Sequence, residues 1–193
     1  MGKLGWTIII ILILLGVLSV SKYNTMVTME EMVTEQWANV ETQYQRRADL
    51  IPNLVKTVKG YAAHEKDVFE SVTKARASAT SVKIDPSNLT AESIKKFQSA
   101  QGVLNSALSR LLAVSERYPE LKANQNFLEL QAQLEGTENR IAVERRRFNE
   151  KVKNYNTFIR KFPNNFVASM FGFERQATFE ADEGAEKAPD VQF

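Results

Sequence analysis

The chain has 193 residues, with 25 Lys plus Arg against 23 Asp plus Glu, one His and no Cys. That length holds one domain with a real core. The near-cancelled charge supplies no field for nucleic acid, and the missing thiols exclude disulfides, thiolate nucleophiles and cysteine-ligated metals.

The first element is LGWTIIIILILLGVLSV, Leu4 to Val20, which carries no charge. Seventeen residues at ~1.5 Å rise span ~25 Å, close to the ~30 Å hydrocarbon layer. Lys3 and Lys22 flank the run and can snorkel, while Trp6 and Tyr23 suit the interfacial belts. The expected transmembrane span ends at Leu4 and Ser21, within an anchor domain of residues 1–22. A cleaved signal peptide is the competing reading. It is disfavoured because Ser19-Val20-Ser21 is a poor cleavage site and the run exceeds the usual ~7–15 residues. Counting Lys and Arg near the span, with the amino terminus, favours a cytoplasmic N-terminus and a body on the external, periplasmic side. The lipid bilayer is thus the first expected partner.

The body is expected over 23–173. Met26, Val33 and Val40, interleaved with Trp37 and Tyr44, predict a helix from near Tyr23 to about Ala48. Pro52 would cost ~3 kcal/mol inside a helix but nothing in a first turn. A kink or restart is therefore expected at Asp49–Pro52, with Asp49 as N-cap. The restarted helix would run to about Ala79, with Leu54, Val58, Tyr61, Val68, Val72 and Ala75 on one face. Ser81 to Thr90 reads as a turn. Thr90 then caps a second long helix carrying Ile94, Phe97, Leu104, Leu108, Leu111 and Tyr118, ended or followed by Pro119. In the last long helix Phe127, Leu134, Ile141, Phe148, Tyr155 and Phe162 recur every seven residues, beside a mixed seam of Gln131, Glu138, Arg145, Val152 and Ile159. Such a repeat favours near-antiparallel bundle packing. Pro163 closes that helix. After the apolar NNFVASMFGF comes an acidic tail, 174–193, expected to be mobile. The fold class is all-α: a transmembrane helix leading into an elongated antiparallel bundle of three or four long helices.

Candidate chemistry is sparse. His64 and Glu65 could centre a hydrolase or metal-dependent enzyme, but adjacent helical residues point about 100° apart. Zinc also needs three or four converging ligands, and there is no second His. No nucleophile elbow and no glycine-rich phosphate loop is present. No catalytic, metal or cofactor residue is nominated, and no cofactor is expected. From Arg140 to Lys161 there are eight cations against two Glu, best read as the solvated face of a heptad helix rather than a nucleic-acid surface. In the stretch RRADLIPNLVKTVKGYAAHE, Arg46, Arg47, Asp49 and Asn53 have two readings. Asp49 caps a helix while Arg47 pairs with it and Asn53 serves the backbone freed by Pro52. Alternatively these residues, with His64 and Glu65, form a docking surface.

That stretch, with Tyr23-Asn24 before it and Ala75-Arg76 after it, resembles the LemA family of bacterial membrane-anchored proteins. The likeness continues in YPELKANQNFLELQAQLEGTENRI, in FNEKVKNYNTFIRKFP and in Gly172-Phe173. It implies a single-pass protein of the bacterial inner membrane with an elongated helical bundle, and brings no catalytic residues. The expected function is a non-catalytic, membrane-anchored scaffold or adaptor that self-associates as a homo-oligomer or binds envelope proteins. An adaptor or sensor for a membrane protease is a further alternative.

Overall fold

A computed structural model of the protein describes residues 2–86 and 88–180. Among these residues there are six helices and no strand: α1 Lys3–Tyr61, α2 Lys66–Ser81, α3 Ala91–Ser115, α4 Pro119–Lys122, α5 Gln125–Arg160 and α6 Asn164–Phe171. The all-α expectation holds, with α1, α2, α3 and α5 as the long members.

At ~1.5 Å per residue α1 is about 88 Å long. None of its residues 4–21 is buried, and this part is long and apolar enough to cross a membrane. From Met26 onward the same helix buries Val33, Trp37, Val40, Tyr44, Ala48, Ile51, Leu54 and Val58 along one face. α5 runs antiparallel against it: Tyr155, Phe148, Glu138 and Asn124 meet Glu30, Trp37, Arg47 and Tyr61 in turn. α2 and α3 form a second antiparallel pair, joined through Gln101 to Ala79 near one end and Tyr118 to Glu65 at the other. The caps follow the residue chemistry. Thr90 Oγ1 accepts from Ser93 N–H at 3.1 Å, as expected, and Asn124 Oδ1 accepts from Phe127 N–H at 3.0 Å.

The structure corrects four expectations. First, α1 does not restart at Asp49–Pro52. Pro52 sits within the helix, and the chain turns later, at 62–65. Proline leaves the carbonyl four residues earlier without its helical donor; that oxygen, on Ala48, accepts from Arg76 Nε at 2.7 Å. Asp49 is accordingly no N-cap: it accepts from Gln45 at 2.8 Å and lies 3.9 Å from the Arg76 guanidinium. Second, Tyr61 closes α1 half out in solvent, its hydroxyl accepting from Asn124 Nδ2. Third, Phe162 leaves the heptad. α5 ends at Arg160, so the helical phase is lost one residue before it. Fourth, residues 174–180, counted with the tail, run extended along the bundle and bury Phe179. The remainder of the acidic segment, from residue 181, lies outside the described residues.

The core divides into two clusters. One contains Met26 to Tyr44 of α1 with Ile94, Phe97 and the Ile141–Ile159 stretch of α5. The other contains Ile51 to Val58 with α2, Leu104 to Val114 and Phe127 to Leu134. Arg47, Gln101 and Glu138 fall between the two on all three helices.

Candidate functional site

Five of the six residues of the predicted docking surface occupy three places. Arg46 and Asp49 face outward on α1 beside the connection that follows α2, around Thr80 to Ile84. Asn53 is exposed with Lys56, beside half-buried Thr57, on the side of α1 toward Asn126 and Gln133 of α5. His64 is exposed in the α1–α2 turn, about 25 Å from Arg46 by helical rise. Glu65 beside it is engaged by Arg117 at 3.1 Å and by the Tyr118 hydroxyl at 3.4 Å, tying the two hairpin tips together. A carboxylate held in this way is not poised beside His64 for acid–base work. Among the described residues no three His, Asp or Glu stand close enough to hold a metal ion.

Arg47 is the exception, and the expectation that it lies on the surface is wrong. Only 2% of its side chain is exposed. A fully charged group in that position needs partners. Its Nη1 donates to Glu138 Oε1 at 2.7 Å and to Asn105 Oδ1 at 3.2 Å, its Nη2 donates to Gln101, and the guanidinium lies 5.1 Å from the Tyr44 ring centre. Arg47 therefore pairs across helices with Glu138, not along the helix with Asp49. One polar member of the mixed α5 seam now has a reason: Glu138 answers Arg47. This node borders a polar cleft of about 550 Å³, which also touches Lys95, Arg145 and Glu180.

Beside that cleft lies a groove for an extended segment, which sequence reasoning missed. Asn149 and Asn156 stand seven residues apart on one face of α5. Asn149 Nδ2 donates to the Phe179 carbonyl and its Oδ1 accepts from Phe179 N–H, both at 2.9 Å. Asn156 holds Gln176 in the same two-bonded way, at 2.8 and 3.0 Å. The opposite edge is supplied by Leu89, whose carbonyl accepts from Ala177 N–H at 2.8 Å and whose N–H donates to Gln176 Oε1 at 3.1 Å. Between these clamps the Phe179 ring enters a box of Trp37, Phe97 and Phe148, at centroid distances of 5.7, 6.4 and 5.4 Å, under the Arg145 guanidinium at 4.9 Å. Edge-on and stacked rings at such spacings add to plain burial. The backbone clamps are indifferent to side-chain identity, whereas the box selects an aromatic residue. The sequence signal was available: two Asn at heptad spacing on the flank of a strongly periodic helix, and a Phe at the start of a mostly polar tail.

Comparison with known proteins gives a consistent picture. The family model described as "LemA family" matches residues 36–193. Magnetosome protein MamQ 2 of Paramagnetospirillum magneticum is 31% identical over 176 residues, covering 82% of this chain and 65% of its own length. Magnetosome protein MamQ of Magnetospirillum gryphiswaldense is 31% identical, covering 82% and 64%. Protein LemA of Metamycoplasma hominis is 22% identical, covering 85% and 71%. The chain therefore spans slightly less than two thirds of the length of the magnetosome proteins that it matches.

Proposed function

The chain belongs to the LemA family, and from that premise we propose that it is a non-catalytic helical scaffold or adaptor, anchored in a bacterial cytoplasmic membrane with its body on the external side. One observation carries this reading. α1 passes without a break from a bare apolar stretch into the centre of the bundle, so the span and the body form one rigid lever. A body held in this way is concentrated in a layer beside the bilayer, where weak lateral contacts gain effective concentration. The outward-facing residues of α1, Arg46 and Asp49 beside the end of α2 and Asn53 toward α5, with His64 at the distal tip, are the surface offered to further copies of the chain or to envelope proteins. Arg47 supports that face from inside.

The test is purification in mild detergent followed by mass determination and by crosslinking in the native membrane. Assemblies of more than one copy, or a reproducible heteromeric partner, are expected. Arg46→Glu should reduce such capture while circular dichroism stays unchanged. A uniform monomer that captures nothing overturns the scaffold reading, and turnover of a small molecule abolished by His64→Ala would replace it with the hydrolase.

A further inference from the structure

The end of the bundle nearest the span exposes an apolar surface that no contact within the body explains. Phe162, Phe166, Met170 and Phe171 are 81, 65, 67 and 52% exposed. Three of them, Phe162, Phe166 and Met170, are spaced four apart and form one stripe, with the Phe162 and Phe166 rings edge-to-face at 5.9 Å. The opposite face of α6 is committed to the body: Asn164, Val167 and Ala168 are buried. Asn164 Nδ2 also donates to the Phe158 carbonyl at the end of α5, which fixes where α6 starts. Eight residues are too few for a stable helix in water without such packing.

The position of this surface is set by three contacts. Tyr23, two residues beyond the end of the apolar span, meets the rings of Phe171 and Phe173 at 4.9 and 5.5 Å. Lys22 Nζ lies 5.8 Å from the Phe158 ring centre. Gly172, at φ 76°, adopts the left-handed conformation that ends α6 and returns Phe173 to Tyr23. The stripe is therefore level with the point where α1 emerges from its apolar stretch.

Charge around it leans positive, with Glu30 and Glu174 beside Tyr155 as carboxylates at this end. Residues 151–173 contain no carboxylate, while Lys151, Lys153, Arg160 and Lys161 lie in the same stretch. Aromatic and apolar side chains rimmed by cations, on a short helix beside a membrane span, match the boundary between phosphate headgroups and acyl chains. A second copy is the poorer occupant, because a two-fold contact would set each cation-rich rim against its own like.

We propose that α6 and the preceding Phe162 insert into the interfacial layer of the same bilayer that α1 crosses, as a second membrane contact. This rests on the anchor reading above. Two contacts fix the body's tilt and rotation relative to the membrane, whereas a lone helix leaves rotation about its axis free.

The chain has no cysteine, so single nitroxide labels are unambiguous. Full-length protein carrying Met170→Cys, Leu12→Cys or Leu128→Cys, all at exposed positions, is reconstituted into vesicles of neutral and anionic phospholipid. Accessibility of each label is then measured to oxygen and to a water-soluble nickel chelate. The label at 170 should follow that at 12, oxygen-rich and nickel-poor, and that at 128 should show the reverse. Nickel access at 170 equal to that at 128, with 12 still protected, overturns the second contact alone. Exclusion of both reagents at 170 overturns it in favour of a protein partner, and nickel access at both 12 and 170 overturns anchor and second contact together.

Discussion

At Pro52 the α1 ladder loses a donor, and the Ala48 carbonyl would be left bare inside the body were it not for Arg76. The guanidinium reaches from α2 to that oxygen at 2.7 Å, so a residue of one helix completes the backbone of another. Leaving a buried acceptor unpaired costs about 1–3 kcal/mol. Arg76→Met should lower stability by that amount, read as a lower denaturant midpoint at unchanged slope. Pro52→Ala restores a helical donor to Ala48, so in that background the same substitution should cost markedly less. Equal costs in the two backgrounds would remove Arg76 from this role. Arg76 is visible in the sequence as one more cation, and nothing in its spacing announces that it serves a carbonyl on another helix.

The strap of residues 174–180 is the element whose behaviour depends most on a single side chain. Phe179 contributes the ring in the aromatic box, while Asn149 and Asn156 hold only backbone. Truncating a buried Phe costs about 3 kcal/mol or more. The strap has no helix of its own to hold it, so the loss should appear as local opening rather than global unfolding. Phe179→Ala should therefore raise the rate of tryptic cleavage at Arg175 by about a hundredfold, with 1.4 kcal/mol per tenfold. The helical signal and the bundle's melting should change little. Cleavage at the wild-type rate would mean that the Asn clamps alone hold the segment. The long helices differ from the strap in legibility: the stripes on α1, α3 and α5 are written at helical spacing, but an extended segment held by side chains of another helix has no period to read.

For the whole molecule, the polar layer of Arg47, Gln101, Asn105 and Glu138 decides how three helices slide against one another. Apolar heptads alone accept a shift of one repeat with little penalty, whereas a buried charge accepts one partner level only. Arg47→Met would leave Gln101 buried without its donor and Glu138, 39% exposed, without its ion partner. A loss of about 3 kcal/mol is expected. Replacing both ions, Arg47→Met with Glu138→Met, should cost clearly less than the two single changes added together, since neither charge is then left alone. The double variant should also lose the unique register, seen as broadened distance distributions between labels on α1 and α5. Strict additivity of the two changes would refute the layer's coupling.

What the sequence determines by itself is the part governed by local rules. An uncharged run of seventeen residues, sevenfold spacing of large side chains and the capping residue at Thr90 depend only on neighbours along the chain. They led to an all-α body behind an apolar leader. The mistakes share one physical cause. Pro52 reads as a break because proline costs a hydrogen bond, and only a partner 24 residues later in the chain, Arg76, cancels that cost. Arg47 reads as surface because charge prefers water, and only Glu138, Gln101 and Asn105 on two other helices make its burial tolerable. Phe179 reads as tail because its surroundings in sequence are polar, and only Trp37, Phe97 and Phe148 supply it with an interior. Local spacing determines which segments become helices; whether a proline, an arginine or a tail phenylalanine is tolerated inside depends on donors, acceptors and rings brought from far along the chain.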